Sequence, residues 1–304
     1  MISEARSSDK NEIYDLWKIA YPNKDRRYLR FYFQTHYDYG KTLMIESDNR
    51  IIASLAMNEH ILQLQDKSLV VSYLLGVSTL AEYRHRGCMS ELMKSALEEA
   101  ENNHLITFIE AFHPKIYEQF GFQVVYYRRQ YQIYRGWLKD VESVNVSSSA
   151  TSEELLFAYQ HFTRHFDGYY KRNRAYYQAL LKEVEIGVKK LVVYRNEDNQ
   201  VVAYLLYEEG KKDIVVKEAI YTESIGLSRM LKACIGNREA IYVEVSLDEK
   251  LEKVFPLAVY KKIPCMMARI HDLALFNKLY NINAKSTKEA FASFEKPLWI
   301  REDY

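Results

Sequence analysis

The segment GVSTLAEYRHRGCMSELMKSALEEA, Gly76 to Ala100, places Arg84, Arg86 and Gly87 directly before apolar residues at helical spacing: Met89, Leu92, Met93, Ala96 and Leu97. A helix start leaves backbone N–H groups unpaired and carries partial positive charge. Turn amides in front of it form a concave anion site, and guanidinium groups add bidentate donors. The chemistry offered is phosphate binding, with glycine where the backbone takes an unusual dihedral or approaches the ligand closely. On this segment alone, a solvated loop closed by a glycine fits equally well. Cys88 adjoins the loop, as a reactive thiol or as a small helix-start residue. His161 and His165 have the spacing of a helical metal pair. Phe162 stands where a glutamate would follow, and no third ligand is evident, so no metal is expected. The stretch YYRRQYQIYR, Tyr126 to Arg135, interleaves bases and aromatics as a single-strand nucleic-acid surface does, and it also alternates as one strand of a sheet.

The elements that must position these residues alternate between two periods. The chain has 304 residues, which favours two domains. Hydrophobic residues at 48% and charged residues at 27% suit a globular protein. The formal net charge of +1 supplies no global field toward nucleic acid or an anionic membrane, and neither is expected as a partner. No apolar run reaches membrane-spanning length. The opening MISEARSSDKNEIYDLW lacks a signal-peptide pattern. Three widely spaced cysteines, Cys88, Cys234 and Cys265, give no disulfide framework. A cytoplasmic protein is expected, and oligomeric state stays open, with a homo-oligomer admitted.

Helical spacing marks a first helix with Ile13, Leu16, Trp17 and Ala20, and a second over residues 25–37. Strands are expected at 42–46, 51–57, 61–65 and 68–75, with turns at 47–49 and 66–67. A strand over 105–112 follows the basic loop and its helix. A short helix behind Pro114 ends at Gly121, and a strand runs over 124–134. The serine-rich VNVSSSATS is the best linker. After it the order partly repeats: helices at 152–164 and 173–182, strands at 190–194, 201–207 and 213–219, a helix at 224–235 and a strand at 240–245. A strand-like MMARI and a short helix at 273–279 precede a polar tail ending in KPLWIREDY.

Strand, basic turn, helix, strand, short tyrosine-bearing helix, Gly-Phe turn and strand together resemble the GNAT acetyltransferase superfamily. Arg84-His85-Arg86-Gly87-Cys88-Met89 is similar to its R-x-x-G-x-G/A pyrophosphate loop, except that Met89 stands where glycine or alanine is usual. Tyr117-Glu118-Gln119-Phe120-Gly121-Phe122 is similar to its Y-x-x-F-G-F element. HFDGYYKRNRAYYQALL, the second α/β unit and MMARIHDLALF extend the resemblance to the enhanced intracellular survival (Eis) family over most of residues 1–275. That family joins two GNAT-like domains to a sterol-carrier-like third domain. Only a short tail stands in the third domain's place here, so aminoglycoside acetylation is not carried over.

The resemblance implies an α/β fold (α+β mixed sheet) of tandem GNAT-like domains, each a twisted mixed sheet flanked by helices. It divides the chain into 1–145, a catalytic acetyl-CoA-binding domain; 146–265, a second GNAT-like domain without a CoA site; and 266–304, a remnant strand, helix and tail. It implies an N-acetyltransferase acting on an amine of a small molecule or polypeptide, with acetyl-CoA as cosubstrate. Cofactor-binding residues are then Leu75, Val77, Arg84, His85, Arg86, Gly87, Cys88, Met89 and Ser90, with the Val77 N–H on the acetyl oxygen. Tyr117 is the candidate general acid, a phenol whose pKa lies near enough a thiol's to share its proton. His113 and Glu110 are candidate bases. The carboxylate of Tyr304 is a third, because in the Eis-like family the terminal carboxylate serves as base. Rival readings are a non-catalytic acyl-CoA-binding or interaction protein and a tandem-GNAT aminoacyl transferase using charged tRNA.

Overall fold

Residues 2–110, 113–210 and 213–302 are described in a computed structural model, where mixed α/β elements fall into two units. Unit 1 holds Met1–Tyr126, Pro264–Glu295 and Ile300–Tyr304; unit 2 holds Tyr127–Ile263 and Lys296–Trp299. These groupings run differently from a division in sequence order at 145 and 265.

In chain order, β1 (Ile2–Glu4) precedes α1 (Lys10–Ala20) and α2 (Arg26–Thr35). A meander of β2 (Thr42–Ser47), β3 (Arg50–Leu64) and β4 (Lys67–Thr79) leads to α3 (Cys88–Asn103), β5 (Ile106–Glu110), the one-turn α4 (Lys115–Glu118) and β6 (Gln123–Tyr134). Then come β7 (Val146–Ser147), α5 (Ser152–Thr163), β8 (Gly168–Tyr170), α6 (Arg174–Glu185), β9 (Lys190–Arg195), β10 (Val201–Glu209) and β11 (Ile214–Ile220). The chain continues through α7 (Ser224–Ile235), β12 (Ala240–Ser246), β13 (Tyr260–Ile270), α8 (Leu273–Tyr280), α9 (Thr287–Ala292) and β14 (Leu298–Trp299).

In unit 1, α1 buries Ile13, Leu16 and Trp17, the face its spacing predicts. Asp25 starts α2 by accepting from the Arg27 N–H, which satisfies one of the helix's orphan donors. The strands lie in the order β1-β2-β3-β4-β5-β13. All neighbours are antiparallel except β4 and β5, whose parallel pairing covers Ser72↔Thr107, Tyr73↔Phe108 and Leu74↔Ile109. The hairpin between β2 and β3 turns on Asp48 and Asn49, both at positive φ, as the turn residues predict. Strand β3 joins what its side chains suggest as two strands. Asn58, Glu59 and His60 read as a break, yet their backbones pair with Tyr73, Ser72 and Val71, because ladder bonding is indifferent to side-chain polarity. The polar tail contains α9, capped by the Ser286 hydroxyl, which accepts from the Glu289 N–H.

Unit 2 has the strand order β6-β12-β11-β10-β9-β7. Again one pair is parallel: β11 with β12, over Ile214↔Ile241, Val215↔Tyr242 and Val216↔Val243. Helix α7 packs on one buried cluster containing Tyr131, Val216 and Val243, while α5 and α6 pack on another containing Tyr159, Tyr177 and Tyr204. A capping box of Thr151 with Glu154 opens α5. Trp299 enters the second cluster, 3% exposed, and β14 pairs with β8 through Leu298↔Gly168 and Trp299↔Tyr169. Each unit therefore places a helix pair before three antiparallel strands, a helix and a parallel strand.

Candidate active site

The site starts where β4 loses its parallel partner β5 while keeping β3. Its pairing with β5 is recorded only as far as Leu74, and its register against β3 shifts between Ala56↔Leu75 and Ser54↔Ser78. Gly76 and Val77 form the resulting bulge, with Gly76 at φ +63°. A Cβ at Gly76 would collide with the Trp17 indole as well as being strained at that φ. The indole Nε1–H donates to Ser54 Oγ at 3.1 Å, and Ser54 Oγ lies 2.9 Å from Ser78 Oγ across the shifted register. One helical turn beyond Trp17, the Tyr21 hydroxyl donates to the Val77 carbonyl at 2.7 Å. The bulge thus rests on two aromatic residues contributed by α1 and its C-terminal boundary.

Beyond β4 the chain makes a short turn at Ala81–Tyr83 and enters the basic loop. His85 (φ +63°) and Gly87 (φ +88°) are both left-handed, alternations that turn successive amides to one side. Space is open around Gly87, so its dihedral alone asks for glycine. The first bond of α3 runs from the Glu91 N–H to the Gly87 carbonyl at 3.0 Å. The amides of Cys88, Met89 and Ser90 precede it and have no helical acceptor. Arg84, His85, Arg86 and Gly87 are exposed. Arg84 Nε donates to the Thr79 carbonyl at 3.4 Å, and the Arg86 guanidinium lies 5.0 Å from the Tyr83 ring centroid. Both arginines are therefore drawn toward the loop's own backbone and ring. Cys88 is buried with its thiol 3.9 Å from the Tyr83 carbonyl, the position of a packed helix-start residue.

Tyr117 lies in α4, half-buried, its ring edge-on to Phe122 with centroids 6.4 Å apart. Burial raises its pKa above the ordinary phenol value. Tyr21 is raised as well, first by its own burial and then by the neighbouring Tyr117. Phe120 and Phe122 are buried. His113 is exposed, and its carbonyl accepts from the Ile116 N–H. Glu110 ends β5 opposite Met266, with the Cys265 thiol 3.8 Å from its Oε1. Tyr304 lies outside the described residues.

Leu75 lies on β4 and Val77 in its bulge, the loop from Arg84 to Ser90 leads from the end of that strand into α3, and Tyr117 lies on α4. Sequence reasoning missed Trp17 and Tyr21 as contributors. Their four-residue separation on α1 was the available signal, but it reads as core packing. Elsewhere, His161 stacks on Phe157, and no group of three metal-ligating side chains occurs among the described residues. No described helix is long and apolar enough to cross a membrane.

Residues 1–125 match the model of the acetyltransferase (GNAT) domain family. The chain carries a GNAT acetyltransferase domain. Acyl transfer is the chemistry of that domain, and its span takes in the bulge, the basic loop, α3 and Tyr117. Among solved structures, the chain is similar to an Enterococcus faecalis V583 protein described as a "Probable N-Acyltransferase", at 17% identity and TM-score 0.75, covering 91% of this chain and 74% of that one. It is similar to a GCN5-related N-acetyltransferase from Anabaena variabilis, at 12% identity and TM-score 0.73, covering 91% and 74%. Eis1 from Mycobacterium abscessus is similar at 13% identity and TM-score 0.67, covering 91% and 75%. A search of curated proteins finds no sequence match. At these identities the structural likeness speaks for the fold, a tandem arrangement continuing past the acetyltransferase domain.

Proposed function

We propose that this protein transfers an acetyl group from acetyl-CoA to an amine of a small molecule or polypeptide. The observation that carries this reading is the loop Arg84–Ser90. It combines two arginines, two left-handed residues and three helix-start amides without helical acceptors, at the end of a strand whose parallel pairing has stopped. That combination suits a pyrophosphate on the loop and a thioester along the free edge of β4.

In this reading the amine attacks the thioester carbonyl carbon directly. The Val77 N–H stabilises the oxygen that becomes an oxyanion. As the tetrahedral intermediate collapses, the C–S bond breaks and Tyr117 gives its proton to the leaving thiolate. The acceptor nitrogen loses its proton to a base, for which His113, Glu110 and the Tyr304 carboxylate are the proposed candidates. His113→Ala, Glu110→Gln and deletion of Tyr304 tell them apart by their effects on turnover. No metal is required by these steps.

The reading is tested by release of free CoA from acetyl-CoA in the presence of a panel of amines, aminoglycosides and lysine peptides. Amine-dependent thiol release, with the acetylated amine as product, is the expected result. Tight binding of acetyl-CoA with no turnover on any acceptor class would make this a binding protein instead.

A further inference from the structure

We infer that Tyr21 is a positioning residue of the acyl-transfer site, its hydroxyl holding the Val77 peptide of the β4 bulge in the orientation that transfer needs. The inference rests on the acyl-transfer reading of unit 1 given above.

A bulge leaves a residue without its ladder partner and frees the local backbone to turn. Here the Val77 carbonyl bonds a side chain: it accepts from the Tyr21 hydroxyl at 2.7 Å. That bond fixes the peptide plane on the C-terminal side of Val77. The plane on the N-terminal side is fixed by Gly76, at φ +63° and pressed against the Trp17 ring. Trp17 and Tyr21 are one helical turn apart, with ring centroids 6.1 Å from each other. Trp17 is itself held by its bond to Ser54, which contacts Ser78 beyond the bulge. The bulge is therefore clamped on both sides of Val77 from α1 and the residue that ends it.

The chemistry explains why a phenol suits the position. Tyr21 is half-buried, and burial followed by the neighbouring Tyr117 holds its pKa well above the ordinary phenol value. It stays a neutral donor throughout the working pH range, so its bond to the carbonyl is not lost by ionisation. Tyr21 thus holds the peptide that follows the Val77 N–H, and with Gly76 on the other side it limits how that N–H can turn. A preorganised donor is worth most when its backbone does not reorganise during reaction.

The test compares Tyr21→Phe with the wild type and with Tyr117→Phe, each as the full chain. Two readouts are taken: amide hydrogen exchange over residues 75–79, and kcat with the Kd for acetyl-CoA. Tyr21→Phe keeps the ring and removes only the donor. The expected result is faster exchange over 75–79, kcat lowered about tenfold and an unchanged Kd. Tyr117→Phe should lower kcat without altering exchange at the bulge. Unchanged exchange in Tyr21→Phe overturns the clamp, whatever its turnover. Faster exchange with wild-type kcat overturns the positioning role. A wild type that neither binds nor turns over acetyl-CoA defeats the functional reading and the positioning role with it, while the exchange comparison still decides whether Tyr21 holds the bulge.

Discussion

Tyr117 owes its chemical character to its surroundings. Set against Phe122 and half-buried, it is held in the protonated state by desolvation, the form a general acid must have before the thiolate leaves. Tyr117→Phe should therefore lower kcat by about a hundredfold or more while leaving acetyl-CoA affinity unchanged. Steady-state rates alongside calorimetric titration check this, and wild-type turnover at saturating substrate would reassign the ring to packing. A second residue sets a pH limit on the fold. His271 lies 2.8 Å from Thr107 Oγ1 through Nε2, and its pKa falls from 6.5 to about 4, first by burial and then by the Arg269 charge. With the folded pKa depressed, the unfolded chain binds the proton first. The stability contribution is fully present above about pH 6.5 and is lost as pH falls toward 4. His104 shifts in the same direction through burial. Denaturant midpoints measured from pH 7 to 4 should fall across that window, and the slope should be shallower in His271→Gln. Legibility at this scale was uneven. The segment around Tyr117 offers a signal because its motif is local in sequence, Tyr117 to Phe122. Tyr21 offers no such local motif, because its partner Val77 is brought to it by folding and its type matches many core tyrosines.

The loop and the two elements it joins form the proposed cofactor site at the next scale. Strand β4 delivers the bulge, α3 delivers the amides, and Gly87 at φ +88° is the residue from which α3 starts. No neighbour crowds Gly87, so Gly87→Ala acts through backbone strain alone, on the order of 1–2 kcal/mol. The expected outcome is acetyl-CoA binding weakened about tenfold with a melting temperature only a few degrees lower, measured by titration and thermal melt. Apolar spacing located α1, α3 and α7 in the sequence because each buries one face, and turn residues located the β2–β3 hairpin. The full length of β3 was hidden by Asn58, Glu59 and His60, whose polarity says nothing about their backbone bonds. Helix α9 carried a readable Ser-x-x-Glu cap in Ser286 and Glu289, but it is short and sits in polar sequence. The bulge left no local trace beyond Gly76, since a register shift belongs to two strands at once.

At the scale of the whole chain, the two units share an element order, and each has a parallel strand pair three residues long. They diverge at the connection that follows. In unit 1 the chain runs from Leu74 to Cys88 through the basic loop. In unit 2 it passes from Val216 to Ser224 by a shorter path whose last residues are Tyr221, Thr222 and Glu223. Glu223 occupies the N-cap of α7, placing a carboxylate where unit 1 offers arginines, which disfavours a phosphate there. The repeated order was legible from periodicity alone, whereas the grouping of 264–295 with unit 1 required β13 to pair with β5. We propose that acetyl-CoA is held by unit 1 alone, through Arg84 and Arg86. Isothermal titration of the full chain with acetyl-CoA tests it most directly. One site per chain is expected, with the Arg84→Ala/Arg86→Ala variant binding at least about tenfold more weakly. Two sites, no site, or a double variant that binds as tightly as the wild type would contradict it.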